Sequence, residues 1–149
     1  MTDGLFNSVR FALTRNDELR LEYVCADINI YKFEVARIEH DAFFDAITAR
    51  IFCTMTDYAL DAQGELFKGD NKSKRDYSEY WTFLRRSGVI PSTGSGRAGS
   101  REAGKCPSCG APLDKINMAG VCGYCNAKIV SGNFDWVLAQ IDQDEEYRG

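Results

Sequence analysis

Apolar residues recur at helical spacing near the start of the chain. They form one stripe that consists of Leu5, Phe6, Val9, Ala12 and Leu13. This spacing predicts an amphipathic helix, and Thr2 or Asp3 can cap its first turn. Between Leu19 and Ile28 the pattern fits a helical face and a strand equally well, so the type of this segment stays open.

From Tyr31 onward the apolar positions alternate with a period of two. The clearest alternation runs from Asp45 to Asp61, where apolar residues share one face and mostly polar residues share the other. The apolar set is Ile47, Ala49, Ile51, Cys53 and Met55. A strand with one apolar face and one more solvent-exposed face is typical of an antiparallel sheet.

The rest of the first ninety residues continues this strand pattern. Asp61–Gly64, with the sequence DAQG, predicts a turn. A short returning strand is expected at 65–69, a polar loop at 68–76 and a further strand at 79–86. The pattern therefore predicts an α+β fold in which a helix or two precede a meander of three or four long strands.

Composition divides the chain into three regions. Residues 1–90 form the predicted α+β domain, and residues 91–104, rich in glycine and serine, are expected to be a flexible linker. Residues 105–149 hold two cysteine pairs and an apolar tail. In that tail Asp135 is expected to cap a C-terminal helix that carries Trp136, Val137, Leu138 and Ile141. No internal repeat is expected.

The cysteine pairs are two Cys-x-x-Cys motifs with twelve residues between them, formed by Cys106, Cys109, Cys122 and Cys125. Each motif can turn back on itself so that both sulfurs face one centre, and Gly110 and Gly123 suit such tight turns. Four thiolates make the closed tetrahedral set of a structural Zn²⁺ site. A hairpin with Ala119 and Gly120 at its bend, followed by a strand at 126–132, would complete a zinc ribbon.

Other readings of the cysteines stay open. Two disulfides, a redox-active pair and a rubredoxin-like iron site are the alternatives to zinc. Lys105, Lys115 and Lys128 can offset the negative charge of a four-thiolate site. Because all four ligands come from the protein, the site would hold the segment together and would not activate a water molecule. Cys25 and Cys53 are expected to be small buried hydrophobic residues.

Several strings in the chain together resemble one known family. They are DYALDAQGELFKGD, EYWTFLRR, CPSCGAPL, GVCGYC and SGNFDWVLAQI. These strings resemble the bacterial Tim-forty-four-like proteins that carry a zinc ribbon, whose namesake is a mitochondrial inner-membrane scaffold that recruits the import motor. The matching signatures are the Asp61–Gly64 turn followed by Gly69, and the strand with Trp81, Phe83 and Arg85. The resemblance covers the chain from about Phe33 to Ile141.

The resemblance implies a fold and a role. The family's domain is similar to the nuclear transport factor two-like fold, in which helices pack on a curved antiparallel sheet. It implies a non-enzymatic adaptor that binds a protein or lipid partner near the membrane, with Tyr80, Trp81, Phe83 and Arg85 as candidate binding residues. The family usually has more helix ahead of the sheet, so an apolar sheet face is expected to dock the ribbon or a second copy, forming a homodimer.

Composition and charge bear on two alternatives to the adaptor role, a nucleic-acid-binding protein and an enzyme. The 149 residues carry a net charge of −4, which argues against a nucleic-acid-binding ribbon. A small-molecule enzyme that uses a sheet pocket is the other alternative, but His40 is the single histidine, and no nucleophile or phosphate-loop motif is present. We expect no signal peptide and no membrane span, a reducing compartment, and a cytoplasmic chain at the inner face of the membrane.

Overall fold

The computed structural model describes residues 1–88, 104–117, 119–129, 132–133 and 135–149. In this part of the chain one α-helix, one short 3-10 turn and one four-stranded sheet are formed. The elements are α1 (Asp3–Glu18), β1 (Glu22–His40), β2 (Phe44–Leu60), β3 (Leu66–Arg86) and β4 (Val137–Gln143). The strands are antiparallel neighbours in the order β1-β2-β3-β4. The predicted α+β class is confirmed.

The predicted first helix is α1, and its start is anchored to the far edge of the sheet. The Thr2 side chain accepts a hydrogen bond from the Leu5 backbone N–H, so Thr2 is the N-cap. The Thr2 backbone N–H donates to the carbonyl of Leu138 in β4 at 2.8 Å. A backbone donor that a helix start leaves free is thereby satisfied by a strand.

The undecided segment after α1 is a strand. β1 begins at Glu22, nine residues before the alternation that is visible from Tyr31, and it pairs with the end of β2 from Leu60 backward. Bulges interrupt its register between Ala26 and Asn29, among other places. These extra residues blur the period of two, which is why the sequence pattern did not reveal the strand.

The turn between β2 and β3 forms as predicted. Asp61 Oδ1 accepts the backbone N–H groups of Gln63 at 2.9 Å and Glu65 at 3.0 Å, and Gly64 has a left-handed φ of 81°. The polar loop predicted at 68–76 is wrong, because β3 runs through it. Asp70 and Arg75 of β3 pair with Asp57 and Met55 of β2, so five residues of β3 span the same distance as two of β2. The polar residues therefore form an enlarged bulge.

The predicted C-terminal helix is also wrong. Residues Val137–Gln143 form β4, which pairs with β3 from Glu79 to Leu84. The backbone N–H and C=O groups along that side of β3 need partners, and a strand supplies them where a helix cannot. The sheet is thus completed by a segment that follows the cysteines, and not by residues 1–90 alone. The predicted linker lies outside the described residues, except for Gly104.

Apolar side chains cluster on one side of the sheet. Directly opposed residues of antiparallel strands share a face, and the register sets together Phe33, Val35 and Ile38 of β1, Ile47, Ala49 and Ile51 of β2, and Trp81 and Phe83 of β3. We call these residues the apolar face. Its β1 part is open, since Phe33 is 74% and Ile38 is 71% exposed. Across the described residues no helix has the length and apolarity that crossing a bilayer requires.

The C-terminal tail packs on part of the opposite face of the sheet. The Tyr147 ring stacks on Tyr80, with centroids 3.8 Å apart and planes 8° from parallel. Asp144 accepts hydrogen bonds from Arg50 and Ser78, both at 2.5 Å. These contacts hold the end of the chain against the sheet, so the tail beyond β4 adds to the packing of this face.

Candidate metal centre

The four predicted ligands lie together. Their Sγ atoms are all within 4.8 Å of one another. The closest approaches join the two motifs, with 3.8 Å from Cys106 to Cys125 and 3.9 Å from Cys109 to Cys122. A tetrahedral site with metal–sulfur bonds of about 2.3 Å has sulfur–sulfur edges of about 3.8 Å, so the cluster fits a metal ion.

The sulfur distances do not fit disulfides. A disulfide joins its sulfurs at about 2.05 Å, and all six cysteines, which lie in the described residues, are free thiols. Cys106 and Cys122 are buried at 2% and 1% exposure, whereas Cys109 and Cys125 are exposed. Each motif therefore offers one inner and one outer sulfur.

The two motifs are built by the same backbone pattern. Residues 104–113 and 120–129 repeat their hydrogen bonds at a displacement of the sixteen residues that separate Cys106 from Cys122. The matching donor-to-carbonyl pairs are Cys106 to Ala111 and Cys122 to Ala127, Gly110 to Cys106 and Asn126 to Cys122, and Leu113 to Gly104 and Ile129 to Gly120. The expectation of no internal repeat is therefore wrong.

The repeat has a sequence signal. The two halves share the pattern Gly-x-Cys-x-x-Cys-x-Ala, starting at Gly104 and Gly120. After each second cysteine the backbone is left-handed, at Gly110 with φ 73° and at Asn126 with φ 56°. Asparagine tolerates this conformation better than most residues do, so Asn126 replaces the glycine of the first half.

The halves are joined by a tight hairpin and a close backbone approach. The Gly120 N–H donates to the Asn117 carbonyl, and the Val121 N–H donates to Asn117 Oδ1 at 3.0 Å, which places the bend near the predicted position. The Gly123 N–H donates to the Lys115 carbonyl at 2.7 Å. A Cβ on residue 123 would lie 2.5 Å from that oxygen, so only glycine fits there.

The thiol of Cys109 resists ionisation at this spacing. The backbone N–H of Ala111 lowers the pKa of Cys109, but hydrogen bonds to the neighbouring thiols of Cys125, Cys106 and Cys122, together with burial, raise that pKa to about 12. A bound divalent cation supplies the positive charge that favours thiolates. The spacing of the four sulfurs and the protonation of Cys109 therefore both suit a site that a metal ion would complete.

The nearby lysines have contacts of their own. Lys128 forms an ion pair with Asp3 of α1, and Lys115 Nζ lies 5.2 Å from the centre of the Tyr124 ring. The Lys128–Asp3 pair joins the cysteine segment to the first helix. The Arg86 N–H donates to the carbonyl of buried Gly132 at 2.9 Å, which joins the segment to β3 as well.

The two remaining cysteines do not join the centre. Cys25 is exposed and Cys53 is half-buried, so the expectation of buried hydrophobic residues is wrong for Cys25. The Cys25 Sγ approaches Asp57 at 3.9 Å. Partial burial raises the pKa of both thiols, and the Asp57 carboxylate raises that of Cys25 further. Both are therefore protonated near neutral pH.

The four candidate binding residues do not form one site. Trp81 and Phe83 belong to the apolar face, with ring centres 6.5 Å apart. Tyr80 lies on the opposite face beneath Tyr147. Arg85 donates to Asp45 at 2.8 Å and lies 4.4 Å from the centre of the Trp136 ring. Trp81 and Phe83 are half-buried on the apolar face, where Trp81 also donates to Glu79, whereas Tyr80 and Arg85 contact other parts of the chain.

His40 is a surface residue, as expected. Its side chain is 73% exposed, and its Nδ1 lies 2.6 Å from Asp45 Oδ1. Asp45 therefore contacts both His40 and Arg85 at one end of the sheet. The hydrogen bond from Arg85, followed by the one from His40, holds the pKa of Asp45 below its usual range.

This lowered pKa predicts a loss of stability in acid. A carboxylate whose folded pKa lies below its unfolded value of about 3.9 stabilises the fold above that value, and the contribution is lost as the pH falls through the folded pKa. Urea unfolding at about pH 6 and about pH 3 should therefore show a smaller acid loss for Asp45→Asn than for the wild type. Asp17→Asn on exposed α1 is the control, and an equal acid loss for Asp45→Asn and the wild type would contradict the role of Asp45.

Comparison with known proteins returned no family model, no curated protein and no solved structure that matches this chain.

Proposed function

We propose that this chain is a non-enzymatic adaptor in which a nuclear transport factor two-like sheet domain is joined to a structural zinc ribbon. It binds a partner protein near the membrane through the apolar face. The resemblance to bacterial Tim-forty-four-like proteins supports this role. The observation that carries it is the exposure of large apolar side chains along β1, of which Phe33 is 74% and Ile38 is 71% exposed.

Exposed apolar side chains at these positions favour a binding role. A contiguous apolar surface costs free energy in water and marks interaction sites in soluble proteins. On the same face, Val35 and Ile30 lie on either side of Phe33 along β1 and are 58% and 59% exposed. Phe33 and Val35 pair directly with Ile51 and Ala49, so the open surface is continuous with the centre of the sheet.

Zn²⁺ is the metal that we assign to the cysteine centre. Four thiolates in a closed tetrahedron are the donor set of structural zinc sites, and such a set leaves no coordination position for a reacting water. The ion would hold the two knuckles together. Cys106 and Cys122 would provide the inner sulfurs and Cys109 and Cys125 the outer ones. The centre then stabilises the adaptor and takes no part in chemistry.

Site-specific crosslinking in intact cells tests the binding role. A photoreactive phenylalanine analogue is placed at Phe33, on the apolar face, and in a matched variant at Lys32, which precedes it on the strand and points to the opposite side. We expect a partner protein to be joined at position 33 and to be absent at position 32.

The products separate the possible outcomes. A crosslinked lipid at position 33 would favour the lipid-binding alternative, and an RNA product would favour the nucleic-acid alternative. Products that contain only a second copy of the chain, or equal amounts of the same partner protein at both positions, would contradict the adaptor proposal.

A further inference from the structure

β1 is a long strand at the edge of the sheet. It spans Glu22–His40 and pairs with β2 along one side; in the described part of the chain no strand pairs with its other side. Its free backbone N–H and C=O groups form a template for another strand. The apolar face also ends at this edge, where Phe33 and Ile38 are the most exposed large apolar side chains of β1.

Four charged residues of β1 lie on one face near the middle of the strand. Lys32, Glu34, Arg37 and Glu39 stand opposite Phe52, Arg50, Thr48 and Ala46 of β2, which are every second residue of that strand. The bulge between Val35 and Arg37 is what brings the two odd-numbered members onto the same face as the two even-numbered ones. Their side chains are about half exposed, as the ion pairs Lys32–Glu34 and Arg37–Glu39 show.

This row of charges is complementary to itself when it is reversed. We propose that β1 pairs with β1 of a second copy, antiparallel, about a two-fold axis between Val35 and Ala36. In this register Lys32 faces the partner's Glu39, and Glu34 faces the partner's Arg37. Among the registers that set these four charges against one another, this is the one in which every charge meets an opposite charge.

The same register also pairs the exposed apolar side chains. Phe33 then faces the partner's Ile38 on the apolar face, and each covers a side chain that is more than 70% exposed in the single chain. Directly opposed side chains in an antiparallel pair have Cβ atoms about 5 Å apart, which allows contact. One axis thus satisfies the charges on one face and the apolar groups on the other.

The resulting homodimer has one continuous sheet. It joins two apolar faces side by side and removes a free edge from each chain. The pairing uses the edge of β1 together with Phe33 and Ile38 at that edge, and the charges that set its register play no part in the proposed adaptor role, so the two proposals can fail separately. A chain that dimerises but is crosslinked to no partner protein would support the pairing and contradict the adaptor role. A chain that is crosslinked to a partner protein but stays monomeric would do the opposite.

Two charge-swapped variants test this register. K32E/E34K and R37E/E39R each keep the ion pair within the strand, yet each sets like charges against like in a homodimer. We expect the wild type to sediment at about twice the 16.7 kDa chain mass. Each variant alone should dimerise at least roughly tenfold more weakly.

Mixing the two variants is the decisive step. In a mixed pair every charge again meets an opposite charge, so equal amounts of the two variants should recover the dimer mass. E65K/K68E, which exchanges two exposed charges away from this stretch of β1, is the matched control and should dimerise like the wild type. Far-ultraviolet circular dichroism verifies that all the variants are folded.

Three results would overturn the pairing. They are a wild type that stays monomeric at every concentration tested, swapped variants that dimerise as tightly as the wild type, and a mixture that stays monomeric although both of its components are folded.

Discussion

Removal of the metal from the intact protein is expected to unfold residues 104–129 and to loosen β4. Among the described residues of this segment, the cysteines Cys106 and Cys122 are the buried apolar side chains. A segment of this size rarely buries enough apolar surface to fold alone, and zinc binding contributes on the order of 10 kcal/mol. Without the ion, the repeated knuckles lose the centre that holds them together.

The sheet should respond because the cysteine segment leads directly into its fourth strand. Gly132 lies between them and accepts a hydrogen bond from Arg86 of β3. A Cβ at Gly132 would already meet Val137 at 3.4 Å, so the entry to β4 is closely packed. If the cysteine segment unfolds, β4 loses this fixed entry, and residues 79–84 of β3 lose hydrogen-bond partners.

Hydrogen exchange followed by mass spectrometry measures this effect. After treatment with a chelator, exchange should become fast in 104–129 and faster in Glu79–Leu84 and Val137–Gln143, while the β2 core exchanges as before. Cys122→Ser should reproduce the pattern without a chelator, and the exposed Cys25→Ser is its control. Unchanged protection in 104–129 after complete metal removal would refute the stabilising role of the centre.

Gly69→Ala is expected to destabilise the sheet strongly, because the added methyl group would clash with backbone atoms of β2. Gly69 has a φ of 87° and pairs with Tyr58. A Cβ there would lie 2.3 Å from the Asp57 carbonyl oxygen and 2.7 Å from the Tyr58 Cα. Both are backbone atoms of a central strand, so the clash cannot be relieved by a side-chain rotation. We expect a loss of roughly 3 kcal/mol or more in the free energy of unfolding.

Gly64→Ala is the matched control for this substitution. Gly64 has a similar φ of 81°, but a Cβ there would have no neighbour within 4 Å. Its cost is therefore that of the left-handed backbone alone, about 1–2 kcal/mol. Urea unfolding of both variants gives the difference that is due to the close approach. Equal losses would show that β2 and β3 are not packed as closely at Gly69 as described.

The sequence predicted those elements whose signals are local. The α1 stripe, the alternation of β2, the Asp61–Gly64 turn and the cysteine spacing each depend on residues close together in the chain. The prediction of a helix where β4 forms was wrong because Trp136–Ile141 is apolar enough for either a helix or a strand. The segment is a strand because it pairs with β3, which lies some fifty residues earlier in the chain. A pattern of neighbouring residues carries no information about such a distant partner.

Other features were missed for different physical reasons. The segment 68–76 is polar because it forms a bulge within β3, and composition does not distinguish a bulge from a loop. The stacking of Tyr147 on Tyr80 joins residues that share no motif. The sixteen-residue repeat, in contrast, was present in the sequence as Gly-x-Cys-x-x-Cys-x-Ala, and a search for short repeats around the cysteines would have found it.

X-ray absorption at the zinc edge, on the full chain purified without added metal, identifies the metal and its neighbouring atoms directly. We expect one zinc ion per chain with four sulfur neighbours at about 2.3 Å, supplied by Cys106, Cys109, Cys122 and Cys125. A folded protein that contains no metal, or a zinc ion with oxygen or nitrogen in its first shell, would contradict this expectation.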